Sequence, residues 1–213
     1  MIAPEGRIVA AILAAGRSSR TGSQHKLLAQ DALGRAMISR TVEQVVASNA
    51  DAVRLFVATD GDSVVASALS GLRPHPAQFS IGTVPDAAEG MAASVRASVA
   101  FAHDQGAAGL LICLGDMPLV QSELMDALIT AFRRSRADAI VPVHEGRRGN
   151  PTLWASSQFD TLSRLEGDTG GRAILDALAA DSDSRRLFRI VGDASVLTDF
   201  DTSERLTAFA RLT

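Results

Sequence analysis

Residues 8–28, IVAAILAAGRSSRTGSQHKLL, change character halfway along. Positions 8–14 are apolar without alternation, the pattern of a strand covered on both faces, as in a parallel sheet between helices. From Gly16 onward the stretch is rich in Gly, Ser and Arg. Gly16 and Gly22 lie six residues apart, with Ser18, Arg20 and Lys26 around them. Glycines let successive N–H groups turn toward one point, a nest that takes phosphate oxygens. Arg adds forked donors and Lys a compact charge, so the group suits a polyphosphate. The alternative is a surface turn with solvated charges. Neither the Walker spacing nor Gly-x-Gly-x-x-Gly is present. Lys26 is the only lysine among 21 Lys and Arg residues, which sets it apart from a charge kept for solubility.

Outward from this stretch, apolar runs alternate with helical periods. Strands are expected at 53–58, 81–84, 110–114, 139–143, 152–154 and 187–191. Helices are expected at 36–49, 64–69, 91–103, 124–134, 171–180 and 203–210. This order predicts an α/β chain of Rossmann-like, three-layer α/β/α build, with a mostly parallel sheet and one domain over residues 1–213. The polar segment 144–151 reads as a loop within that domain. Ligands in such sheets gather beyond the carboxyl ends of strands, so the loops after Ala15, Ala58, Leu114 and Val143 are the places for a site.

Composition narrows the classes of function. Apolar residues at 46% and charged residues at 21% are globular values that argue against disorder. A net charge of −3 and the absence of tyrosine argue against a general nucleic-acid binder. Cys113 is the single cysteine, so no disulfide forms within the chain, and its place in the run 110–114 makes it a small hydrophobe. No apolar run approaches the roughly 18 residues of a membrane span, and no export signal is visible, so a cytoplasmic address is expected. The histidines lack metal-ligand spacing.

Three acidic or glycine-rich stretches carry further chemistry. Asp116 follows the run 110–114 directly, where an ionised carboxylate is costly unless a cation meets it. A turn residue between Gly115 and Pro118 is the alternative. Asp199 and Asp201 flank Phe200, which would set both carboxylates on one side of an extended segment. An N-cap at Asp201, Thr202 or Ser203 competes with that reading. In 165–172, Gly167, Gly170 and Gly171 open a helix N-terminus suited to an anion and Arg172 adds charge. Asp168 as the cap of that helix is the alternative.

Leu13-Ala14-Ala15-Gly16-x-Ser18-x-Arg20-x-Gly22, followed by Lys26-Leu27-Leu28, resembles the signature loop of nucleotidyltransferases related to the molybdenum-cofactor enzymes. Thr21 stands where members usually carry Met. Three residues rather than two precede the lysine. Gly115-Asp116-Met117-Pro118 resembles that family's metal motif, and 199–203 its Asp-x-Asp-Thr-Pro stretch, with Ser203 in place of Pro. Gly90-Met91-x-x-Ser94 resembles an element near the nucleotide base, and Leu165-x-Gly167-Asp168-x-Gly170-x-Arg172 one common in cytidylyl members.

The resemblance implies the nucleotidyltransferase fold and a transferase that moves CMP from CTP to the phosphate of molybdopterin. It implies Arg20, Lys26 and Asp116 as catalytic residues. Nucleotide contacts would come from Leu13, Ala14, Ala15, Gly16, Ser18 and Gly22, and from Thr59, Asp60, Ser94 and Gly115. Acceptor contacts would come from Asn150, Pro151, Gly167, Asp168, Gly170 and Arg172. Mg²⁺ would lie on Asp116 and Asp201, with Asp199 a further candidate. The implied partners are a nucleoside triphosphate, a phosphorylated acceptor, and a molybdoenzyme or its maturation chaperone, with no nucleic acid and no membrane. A GTP-using enzyme, another small-molecule nucleotidyltransferase and a non-catalytic maturation protein remain alternatives.

Overall fold

Strand β1, Ile8–Ala14, lies inside the sheet and pairs in parallel with β2, Ala52–Ala58, on one side and β4, Gly109–Leu114, on the other. Its continuous apolar run divides between two cores. Ile8, Ala10, Ile12 and Ala14 enter one cluster, while Val9 and Ala11 enter the other. A residue period of two sends neighbours to opposite faces, and here both faces are covered. The computed structural model describes residues 6–16, 25–70, 72, 79–183 and 186–213.

Helix α1, Met37–Ala47, buries Met37, Ile38, Val42 and Val45 in the first core. It shares that face of the sheet with α2, Asp62–Leu69, α4, Ser122–Arg134, and α7, Ser203–Phe209. In α4 the buried set Met125, Leu128, Ile129 and Phe132 follows the i, i+3, i+4, i+7 stripe of an amphipathic helix. Each such side chain stabilises the fold by about 1.5–3 kcal/mol relative to exposure. The opposite face carries α3, Met91–Asp104, α5, Phe159–Leu162, and α6, Arg172–Ala180.

The remaining strands are β3, Phe79–Val84, β5, Ala139–His144, β6, Arg147–Arg148, β7, Thr152–Ala155, and β8, Leu187–Val191. Together they make an eight-stranded sheet ordered β3-β2-β1-β4-β7-β5-β6, with β8 parallel to β5. The expected α/β/α layering with a mostly parallel sheet is observed.

One local expectation changes. Segment 144–151 is not a simple loop: Glu145 and Gly146, at φ 49° and 75°, turn β5 back into the short antiparallel strand β6. Positive φ at both central residues is the pattern of a tight two-residue hairpin. Strand β7 runs antiparallel between β4 and β5. The connection from His144 to Thr152 is shorter than the dozen or so residues a parallel crossover requires.

Candidate functional site

The carboxyl ends of β1 and β4 lie side by side and are locked together. Gly115 N–H donates to the Leu13 carbonyl at 3.0 Å, and the Thr41 hydroxyl donates to the Gly115 carbonyl at 3.0 Å. A Cβ on Gly115 would sit 3.0 Å from the Leu13 oxygen, so the close approach of the two strand ends calls for glycine. Asp116 emerges from this junction with its side chain 14% exposed.

Lys26 begins a short 3₁₀ turn, Lys26–Leu28, that Leu27 anchors in the first core. Its Nζ donates to Asp116 Oδ2 at 2.6 Å and also to Asp201 Oδ1. Asp201 reaches this point because Phe200 is buried beside Phe209, with ring centroids 5.2 Å apart. Thr202, whose hydroxyl accepts from the Arg205 N–H at 3.3 Å, caps α7. Asp199 turns away and pairs with Arg205, so the two aspartates do not act as one set.

Burial opposes the charge on both Lys26 and Asp116. For Lys26 the two carboxylates outweigh burial and hold the ammonium pKa above its ordinary value. For Asp116 burial dominates and raises the carboxyl pKa despite the ammonium beside it. Asp116 is thus a carboxylate for which a facing cation matters. His25, next to Lys26, has its pKa lowered by burial and by the Lys26 charge. Burial pushes the Cys113 thiol up, in keeping with an inert core residue.

Lys26 and Asp116 line a cavity of about 410 Å³ that also touches Leu13, Ala14, Gly16, Glu89, Met91 and Ser94. A second cavity, of about 590 Å³, lies between the β5–β7 hairpin and α6. Leu13, Met91, Leu114 and Asp168 belong to the walls of both, so the two spaces adjoin. Asn150, Asp168, Gly170 and Arg172 line the second cavity.

Several expected positions stand elsewhere. Thr59 and Asp60 lie outside the first cavity, because the chain turns directly from β2 into α2. Ala15 and Gly115 shape the site from behind its lining. Pro151 faces a small apolar void with Val45 and Cys113 rather than the second cavity. Gly167 borders an outer depression beside Arg96 and Arg164. Asp168 does not cap α6: its Oδ1 accepts the Met91 N–H at 3.3 Å, capping α3. Ser18, Arg20 and Gly22 lie outside the described residues.

The second cavity also holds residues that sequence reasoning had not assigned: Arg147, Arg148, Thr152 and Trp154. Arg148 pairs with Asp176, yet its Nη1 is buried without a hydrogen-bond partner. The Arg147-Arg148 pair beside a glycine turn was the visible signal. The position of Trp154 could follow only from the reversed direction of β7.

Two carboxylates from distant parts of the chain converge on one ammonium, marking a point where both reach a positive charge. Among the described residues no three His, Cys, Asp or Glu side chains cluster. Two oxygen donors without thiolate or imidazole fit Mg²⁺ or Mn²⁺, which keep waters and phosphate oxygens as further ligands. They do not fit a closed zinc site.

The sequence profile of the MobA-like NTP transferase domain matches residues 10–183. The Purine catabolism protein PucB of Bacillus subtilis is 30% identical over 169 residues, which is 79% of this chain and 80% of that protein. The crystal structure of Rv0371c from Mycobacterium tuberculosis superposes with a TM-score of 0.76 at 23% identity, covering 96% of this chain and 97% of that one. A structure of Rv0371c in complex with manganese gives 0.73 at 20% identity, covering 96% and 98%. At these identities the two structures speak to the fold. Among the described residues no helix is long and apolar enough to cross a membrane.

Proposed function

This chain belongs to the MobA-like NTP transferase domain family, and on that premise we propose that it transfers CMP from CTP to the phosphate of a molybdopterin-type acceptor. An acceptor phosphate oxygen forms a bond to the α-phosphorus, the bond from that phosphorus to the bridging oxygen breaks, and pyrophosphate leaves. The observation that carries the reading is the gathering of Lys26, Asp116 and Asp201 where two adjoining cavities meet the ends of β1 and β4. One cavity suits the nucleotide. The other, with Arg147, Arg148 and Arg172, suits a phosphorylated acceptor.

In this reading the Gly16 backbone, Lys26 and Arg20 meet the charge that builds on the α-phosphate and the departing pyrophosphate. Asp116 and Asp201 hold Mg²⁺, which when bound supplies Lewis-acid polarisation and a template for the phosphates. The manganese recorded with Rv0371c suits the same kind of oxygen donors. Ser94, 5% exposed, gives the nucleotide cavity a buried hydroxyl near the base. Little covalent work falls to the protein; positioning and charge do most of it. CTP is preferred because 165–172 resembles the cytidylyl members of the family.

The test pairs a thermal-shift panel of CTP, GTP, UTP and ATP with Mg²⁺ and an assay of pyrophosphate release with molybdopterin. A nucleotide at about a hundred times its Kd stabilises the native state by about 2.7 kcal/mol. CTP is expected to give the largest shift. A larger shift with GTP replaces the donor, and no shift with any of the four overturns the reading. The likeness to a protein named for purine catabolism favours a second reading. In it the chain serves such a route by binding nucleotide for the maturation of a molybdoenzyme. Binding without pyrophosphate release distinguishes that case.

A further inference from the structure

The first turn of α3 lacks a cap of its own, because the residue before it is Gly90. A helix start leaves several N–H groups without intrahelical partners. Here they are met from far along the chain. Met91 N–H donates to Asp168 Oδ1 at 3.3 Å, and Ala92 N–H donates to the Gly167 carbonyl at 3.1 Å. One turn further on, Arg96 Nη1 donates to the Leu165 carbonyl at 2.8 Å, while its Nη2 bonds Glu89 Oε2 at 2.5 Å. Segment 165–170 is therefore strapped across the start of α3 at three successive points.

The fit leaves no slack. Gly90 has φ 111°, and a Cβ there would stand 2.8 Å from Asp168 Cα and 2.9 Å from the Gly167 carbonyl carbon. A Cβ on Gly170 would meet Met91 Sδ at 2.9 Å. The strap also lies where the two cavities adjoin. Glu89 and Ser94 line the first, Gly170 and Arg172 the second, and Met91 and Asp168 both.

Charge gives Asp168 a reason to be held there. On the proposed function each cavity receives an anion, and a loose carboxylate on their common wall would repel both. Bonding to the amide end of α3 sets that carboxylate against the positive pole of a helix and offsets the repulsion.

We infer that Asp168 is a positioning residue that couples the two cavities, so that seating the nucleotide shapes the acceptor wall. Nucleotide against Glu89, Met91 and Ser94 fixes the first turn of α3. The fixed turn holds Gly167 and Asp168, and with them the entry to α6. Bound nucleotide then tightens acceptor binding, and by linkage a bound acceptor tightens nucleotide binding by the same factor. This inference rests on the nucleotide reading of the first cavity and adds the means by which the second is shaped.

The test is hydrogen exchange by mass spectrometry on the full chain with CTP and Mg²⁺ as the probe, following peptides that span 86–95 and 163–171. In the wild type both are expected to exchange about tenfold more slowly with nucleotide, within the ordinary range of coupling between sites. In Asp168→Ala, the first peptide keeps that protection and the second loses it. Asp168→Asn retains an acceptor oxygen for the Met91 amide and restores most of it. Gly90→Ala, which drives a methyl group into the strap, behaves as Asp168→Ala does. Asp168 is exposed, so its variants keep the fold.

Protection confined to 86–95 in the wild type, or persisting at 163–171 in Asp168→Ala, overturns the coupling and leaves the nucleotide reading intact. An Asn variant as defective as the Ala variant also overturns it, because Asp168 would then act through its charge on a ligand. No protection at either peptide overturns the nucleotide reading and the coupling together.

Discussion

Lys26 Nζ donates to Asp116 Oδ2 at 2.6 Å across ninety residues of sequence, tying the turn after β1 to the turn after β4. The same ammonium bonds Asp201 near the end of the chain. Three distant segments therefore meet through one side chain, and its removal separates chemistry from folding.

Lys26→Ala is expected to lower pyrophosphate release by about 10²–10³-fold, the usual loss when a preorganised donor to a developing anion is removed. Its circular dichroism should match the wild type. Because the chain has a single lysine, an amine-acylating reagent marks one side chain, and peptide mass spectrometry reads its rate. CTP with Mg²⁺ should change that rate severalfold. A fully active alanine variant and a labelling rate indifferent to nucleotide would both contradict the role given to Lys26.

Asp116→Asn and Asp201→Asn should each weaken Mn²⁺ binding, followed by calorimetry, by at least about tenfold, a loss common even for groups that only support a metal ligand. Asp199→Asn should leave the metal affinity unchanged, since Asp199 is occupied by Arg205. Equal effects from all three variants would mean that the aspartates bind as an undifferentiated acidic patch.

Asp31 offers a test of stability. Its side chain is fully buried and accepts from the amides of Leu33 and Arg35 and from the guanidinium groups of Arg35 and Arg40. Burial alone would raise its pKa, but these donors, the Arg35 amide foremost, hold it below the ordinary carboxylate value. A folded pKa below the unfolded one gives stability that is present above the unfolded value and is lost as pH falls through the folded value. Asp31→Asn should cost about 3 kcal/mol in urea denaturation at neutral pH. The cost should shrink as the pH falls below the ordinary carboxylate range, where the wild type also loses the ion pairs. A cost that does not vary with pH would show that packing, not charge, is what the substitution removes.

Gly171→Ala probes the wall of the second cavity. Its Cβ would sit 2.3 Å from Trp154 Cζ2, and Trp154, the only tryptophan, is 2% exposed in the second core. Overpacking there should cost about 1–3 kcal/mol and shift the tryptophan emission. Gly146→Ala is the control: it carries a positive-φ penalty of about 1 kcal/mol but meets no neighbour, so emission should stay put. Identical emission in the two variants would mean that the ring does not rest on Gly171.

The central layer was legible because β1 is apolar at every position, which only a doubly covered strand can use. The amphipathic stripe of α4 was legible for a similar reason. Strand β7 was legible as a strand but not in direction, since four residues carry no mark of polarity and only the shortness of the preceding connection decides it. At the site, Lys26, Asp116 and Asp201 come together from three motifs far apart in sequence. The cap that Asp168 gives α3 was hidden, because its partner amide lies 77 residues away and no local pattern encodes it. Pro151 and Gly167 border other depressions than Asn150 and Asp168 do, because a place in a motif does not say which way a loop faces.

The β5–β7 hairpin is closed at its base by the Ala139–Trp154 and Ile140–Leu153 pairs. Between those pairs the strands stay bound to the rest of the sheet: Val141–Val143 pair with β8 and Thr152 with Ile112 of β4, while Pro151 shares a void with Cys113. The tip, residues 145–148, stands clear of those contacts and carries Arg147 and Arg148. Such a tip is a cassette, open to exchange without cutting the pairs that hold β4 and its Asp116 end in place. On the proposed function, choice of acceptor and handling of the triphosphate are then separable, and chimaeras that swap residues 145–148 are the way to retarget the chain.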